Sequence, residues 1–201
     1  MKFLIKNFFI NAHNANEAIS SKKTWFPYNK GGDFRKWFGN NFIVVNWKDN
    51  GFLIKEETLE KYPNLDWENL GWKISNEEYY FQPSLTWTAI SASKLGVRVC
   101  SGGAIFSTAG PSAFPKAHLF MKIAGFLCSK LAFEFLKITN PTLNFLVSDI
   151  NALPWLTDNV AVDDIVKKAV AIEKTDWDSY ETSWDFYYTP PALSHLSQGN
   201  P

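Results

Sequence analysis

The chain has 201 residues, 46% of them hydrophobic and 16% aromatic, enough to build one core and bury about 70% of its unfolded surface without a disulfide staple. Its 20 acidic and 20 basic residues cancel, so net charge assigns no partner. Two cysteines without CxxC or His spacing, and the lack of any apolar run near about eighteen residues, exclude a disulfide scaffold, a Cys/His zinc site and a membrane-spanning helix.

The cancelled charge is unevenly spread. Residues 1–55 and 83–150 are basic blocks, whereas 56–82 and 151–201 are acidic. A block of one sign presents a local field that a zero sum hides, although ordinary solvated faces give the same pattern. The opening MKFLIKNFFINAHN has a short apolar run broken by Lys6 and Asn7, with no small-residue cleavage site. The reading is a cytoplasmic protein whose Cys100 and Cys128 are buried, reduced and unbridged.

In chain order, residues 13–23 predict a short helix capped by Asn14 or Asn16. TWFPYNKGGDFRKWFGN, 24–40, combines core-sized aromatics with cations and a Gly-Gly pair, which suits neither a core strand nor an ordinary solvated loop. NNFIVVNWKDNGFLIK then reads as a hairpin turning at Asp49-Asn50-Gly51. The acidic stretch 56–76 is a connecting excursion with a weak helical start. Residues 78–110 hold several β-rich runs separated by Pro83, Gly96, Gly102-Gly103 and Gly110, predicting an antiparallel arrangement.

Residues 117–138 predict one buried helix, with Leu119, Ile123, Phe126, Leu127, Leu131 and Phe135 at helical spacing and Lys122, Lys130 and Lys137 along a narrow edge. Asn140-Pro141 stops it, and TLNFLVSDI reads as a strand closed by Pro154. A second helix follows over 164–175, opened by Asp163 or Asp164, with Ile165, Ala169 and Ile172 on one face. The tail YYTPPALSHLSQGNP reads as disordered.

Familiar catalytic signatures are missing. His13, His118 and His195 are scattered, and neither Gly-Gly pair has the strand-loop-helix setting of a phosphate cradle. Asn140-Pro141-Thr142-Leu143 echoes the Asn-Pro-Pro-aromatic motif of amino-group methyltransferases. It lacks the second proline and the aromatic, so a helix-stopping turn is the better reading.

Several long stretches resemble, in order, the C-terminal part of the adenine-specific DNA methyltransferases of BREX phage-defence systems, the PglX type, and of related type II restriction-modification enzymes. They are WFPYNKGGDFRKWFGNN (25–41), VVNW (44–47), EYYFQPSLTW (78–87), SASKLGVR (91–98), GFLCSKLAFEFLKITNPTLNF (125–145), SDINALP (148–154) and KTDWDSYETSWDF (174–186). The resemblance implies an α+β fold, a twisted, mainly antiparallel sheet backed by a buried helix with a C-terminal helix, as in TaqI-like specificity domains. It implies a helical lead-in over 1–24, a target-recognition domain over 25–157, a C-terminal helical segment over 158–186 and a tail over 187–201.

In that family S-adenosylmethionine belongs to a separate catalytic domain, and no cofactor is expected in this chain. The partners implied are double-stranded DNA, the catalytic methyltransferase domain and other defence-complex subunits. Trp25, Phe26, Trp37 and Phe38 then anchor a DNA-facing loop in which Lys30, Arg35 and Lys36 meet phosphate and Tyr28 or Asn29 reaches a base edge. Ser91, Ser93, Lys94 and Arg98 form a second candidate phosphate patch, and Asn46 and Thr86 are further candidates. The alternative function is a protein-interaction module using exposed aromatics and acidic segments. A carbohydrate-binding module, suggested by nine tryptophans, lacks a secreted context.

Overall fold

The computed structural model describes residue 8 and residues 12–92, 94–154 and 162–186. The expected α+β class is borne out, with the strands divided between two small sheets. Helix α1 (Ala15–Ser20) opens on a reciprocal cap: Asn14 Oδ1 accepts from the Glu17 N–H at 3.0 Å, and the Glu17 carboxylate accepts from the His13 N–H at 2.9 Å. Strand β1 (Trp25–Asn29) pairs antiparallel with β2 (Val44–Asn46), placing Phe26 opposite Val45, and parallel with β5 (Ile105–Phe106). The second sheet centres on β3 (Ser84–Thr86), antiparallel to both β4 (Arg98–Cys100) and β6 (Ser112–Ala113).

The hairpin expected around Asp49-Asn50-Gly51 is not formed. These residues all take left-handed φ values of 50°, 58° and 73°, but the chain they release winds into helix α2 (Lys48–Lys61). Strand β2 finds its partner in β1, and the sequence after Gly51 is rich in Leu, Lys and Glu, which favour a helix. Glycine is required at position 51, where a Cβ would lie 2.7 Å from the Trp47 ring.

The single helix expected over 117–138 is two helices, α3 (Phe120–Leu127) and α4 (Lys130–Thr139), preceded by a 3-10 turn at Ala117–Leu119. Ser129 breaks the run, because its side chain accepts from the Ala132 N–H at 3.1 Å and caps a new helix. The expected strand TLNFLVSDI makes only one bridge, Asn144 with Ile90, and then becomes α5 (Val147–Asn151). The Asp149 carboxylate accepts from the Leu146 N–H at 3.1 Å and from Asn140 Nδ2 at 2.6 Å. Asn140 Oδ1 also accepts from Thr142. Its side chain is therefore used to shape the turn that ends α4.

Helix α6 (Val162–Asp178) covers the predicted C-terminal helix, but a different face is buried. Val162, Val166 and Val170 pack inward, whereas Ile165 and Ile172 are 67% and 69% exposed. The approach to α3 is close enough that a Cβ on Gly125 would lie 2.8 Å from Val162. The tail after Phe186 lies outside the described residues.

Two cores result. One joins Leu85, Trp87, Leu95 and Val97 to Leu127 and Leu136 of the helices, and the other joins Phe26, Trp47, Tyr80, Phe81 and Ile105. Full burial of each such side chain favours folding by about 1.5–3 kcal/mol. Trp87, 1% exposed, also donates its indole N–H to the Phe145 carbonyl at 2.8 Å, tying the second sheet to the turn before α5.

Candidate nucleic-acid interface

The 24–40 stretch leaves β1 at Asn29 and passes Gly31 and Gly32, whose φ values of 88° and 126° favour glycine. A Cβ on Gly31 would lie 2.7 Å from the Ala109 carbonyl oxygen and 3.1 Å from Thr88 Cγ2, so three segments meet here backbone to backbone. Thr88 donates to the Gly32 carbonyl at 2.9 Å, Ala89 N–H to Ala109 at 3.0 Å, and Ser91 N–H to Leu143 at 3.0 Å. This convergence leaves Lys30, Thr108, Ala109, Ile90 and Leu143 exposed around a glycine-bottomed surface.

The rest of the stretch is bound inward. Trp37, at φ 68°, donates its N–H to Val97 at 2.7 Å and accepts from the Val99 N–H at 2.8 Å, extending the second sheet by one bridge to Arg98. Lys36 Nζ donates to the Cys128 carbonyl at 2.6 Å, at the end of α3. Arg35 pairs with Asp176 at 3.2 Å and lies 4.8 Å over the Trp177 ring of α6. Two cations expected to face phosphate therefore spend their polar heads on helices of the same chain. Among the described residues Lys30 makes no ion pair or hydrogen bond, and its side chain is exposed.

Arg98 is 3% exposed. Its Nη1 approaches only the Thr88 hydroxyl, at 3.4 Å, and it forms no ion pair among the described residues. Burial lowers its pKa from 12.5 to about 10. A buried guanidinium without a carboxylate is costly, and here it lies behind the hydroxyl that supports Gly32.

The remaining expected site residues divide by exposure. Lys94 is exposed, two residues before Gly96, whose Cβ would lie 3.2 Å from Phe34 and 2.4 Å from the Arg35 carbonyl oxygen. Ser91 and Tyr28 are half-buried, and Tyr28 packs beside the second core. Asn46 Oδ1 accepts from the Lys48 N–H at 3.3 Å. Asn29 and Thr86 are buried, with Thr86 Oγ1 donating to the Pro111 carbonyl at 3.0 Å. Ser93 lies outside the described residues. Absent from the sequence expectations are Thr108, which is exposed, and half-buried Thr88, whose partners Gly32 and Arg98 only the fold brings together.

Among the described residues there is no cluster of three or more His, Cys, Asp or Glu able to hold a metal ion, and no helix long and apolar enough to cross a membrane. Cys100 and Cys128 are unbridged.

No family model matches the chain. It is 32% identical over 188 residues, 92% of its length, to the adenine-specific methyltransferase PglX of Lacticaseibacillus casei (strain Zhang). It is likewise 32% identical over 180 residues, 88% of its length, to the adenine-specific methyltransferase BrxX of Escherichia coli O9:H4 (strain HS). The chain spans only 15% and 14% of those two relatives. The resemblance read from the quoted stretches is therefore borne out: this chain is a homologue of one segment of the PglX and BrxX adenine-specific methyltransferases.

Proposed function

We propose that the chain is a DNA target-recognition module serving an N6-adenine methyltransferase of a phage-defence or restriction-modification system. The observation that carries this reading is the exposed, glycine-bottomed surface formed by residues 29–32, 88–91 and 107–110 in a segment similar to adenine-specific methyltransferases. Lys30 and Lys94 supply phosphate contacts, the exposed Thr108 hydroxyl approaches the duplex, and Arg98 adds positive potential from behind Thr88, which braces Gly32. Arg35 and Lys36 hold the loop in place. Double-stranded DNA is the partner, and S-adenosylmethionine and the methyl-transfer chemistry belong to a catalytic domain.

A second reading, docking on other subunits of a defence complex, draws on the exposed Ile165 and Ile172 of α6 and on Trp72, 84% exposed. Salt separates the two. Titration of the purified chain with random duplex at low and moderate salt should show binding that weakens steeply as salt rises, as phosphate contacts require. Absence of duplex binding at low salt rejects the recognition reading.

A further inference from the structure

Ile90 and Asn144 stand opposite each other in an isolated antiparallel bridge that joins the segment after β3 to the turn before α5. We propose that this pair reads an A·T base pair in the major groove of the target duplex, Asn144 at the adenine edge and Ile90 at the thymine methyl group. The proposal rests on the DNA-recognition reading above and adds to it the side chains that touch bases.

The bridge sets both side chains on one side. Ser91 N–H donates to the Leu143 carbonyl at 3.0 Å and Phe145 N–H to the Ala89 carbonyl at 2.7 Å. These bonds flank the Ile90–Asn144 pair without joining it, the arrangement in which opposed Cα atoms approach to about 4.5 Å and their side chains leave together. The pair borders the glycine-bottomed surface: Ala89, next to Ile90, donates to the Ala109 carbonyl oxygen, the atom that a Cβ on Gly31 would strike. Lys30 is exposed on that surface, so a duplex held there has the pair as its neighbour.

Asn144 combines an unengaged side chain with a fixed backbone. It is exposed, and its amide makes no hydrogen bond among the described residues. Its own N–H donates to Thr142 Oγ1 at 3.2 Å, and its carbonyl accepts from Asn140 Nδ2 at 3.2 Å. The next residue, Phe145, is buried and takes the Trp87 indole N–H on its carbonyl. The side chains of Asn140 and Thr142 are thus spent on holding Asn144 in place. An amide presented on so constrained a backbone loses little freedom on binding, which is what selective readout requires.

The two residue types specify the base pair. An asparagine amide offers one donor and one acceptor, matching the N7 acceptor and N6 amino donor of adenine. Guanine presents two acceptors at the same edge and leaves the amide oxygen without a donor. Ile90 is 69% exposed and wholly apolar, and the apolar feature that the major groove offers it is the methyl group of thymine. Adenine and thymine of one pair lie side by side across the groove, as Asn144 and Ile90 do across the bridge.

The test selects preferred sequences from a random duplex library with the whole chain and with its Asn144→Ala and Ile90→Ala variants. The parent should enrich a site, and each variant should lose the preference for A·T at the same single position while keeping the rest. At that position 7-deazaadenine in place of adenine should weaken the parent about tenfold, and deoxyuridine in place of thymine about fourfold. Asn144→Ala should be insensitive to the first replacement and Ile90→Ala to the second. Both residues are exposed, so both variants should melt as the parent does. A site unchanged in either variant, or a parent indifferent to either analogue, overturns the pair and leaves the recognition reading standing. Duplex binding that enriches no site also overturns the pair. Absence of duplex binding at low salt overturns both.

Discussion

Lys36 donates a 2.6 Å hydrogen bond to the carbonyl of Cys128, across 92 positions of sequence. That carbonyl is one of those left without a partner at the end of α3, where a cation also meets the negative end of the helix dipole. Lys36→Ala should therefore destabilise the fold by about 1–2 kcal/mol. It should leave the salt dependence of duplex binding unchanged. Chemical denaturation and a salt titration of the same variant check both halves.

Lys30 and Lys94 should behave in the opposite way. Their joint replacement by alanine should leave the melting temperature unchanged and weaken binding to every duplex about equally. The logarithmic salt slope should fall by about one for each phosphate no longer neutralised. A parental slope in this variant removes both lysines from the interface.

Gly96 separates the positioning of the loop from its charge. Its Cβ would lie 2.4 Å from the Arg35 carbonyl oxygen, a backbone atom that cannot swing away. Gly96→Ala should cost about 1–3 kcal/mol by forcing the two segments apart. Thermal unfolding monitored by tryptophan fluorescence measures the loss, and duplex affinity should fall although no cation has changed.

Alkaline pH gives a further test. Burial raises the Cys128 thiol from 9.0 to about 11, and its Sγ lies 3.3 Å from the Val97 carbonyl oxygen. Between those values the unfolded chain has released a proton that the folded chain keeps, so stability falls as pH rises through the window. Buried Tyr80 acts in the same direction at higher pH. Arg98, lowered to about 10, acts oppositely above that value, because the folded chain then holds fewer protons than the unfolded one. Cys128→Ala should flatten the decline in stability between about pH 9 and pH 10, measured by urea unfolding at each pH.

Local signals in the sequence survive in the structure, whereas choices of distant partner do not. Asn14 and Glu17 form a cap within one helical turn, so the start of α1 was legible. Asp49-Asn50-Gly51 was legible as a left-handed turn but not as the entrance to a helix, because a hairpin and a helix entry can share those φ values. Only the claim of β1 on β2 decides between them. Ser129 caps a new helix inside an apolar run whose unbroken periodicity had predicted a single one. The same limit governs the candidate site: the pairing of Arg35 with Asp176, 141 residues away, is invisible in the sequence. Thr88 did not stand out because Gly32 and Arg98 meet it only in three dimensions.

The stretch 24–40 is divided at Gly32. Beyond that point Arg35, Lys36 and Trp37 are fastened to α6, α3 and β4, so a change at any of them is felt in folding. Before it, Lys30 stands clear of both cores, and Thr108 does the same on the neighbouring turn. Folding and surface chemistry thus fall on different residues of one short segment. A substitution at Lys30 or Thr108 therefore changes the surface with the scaffold left as it was.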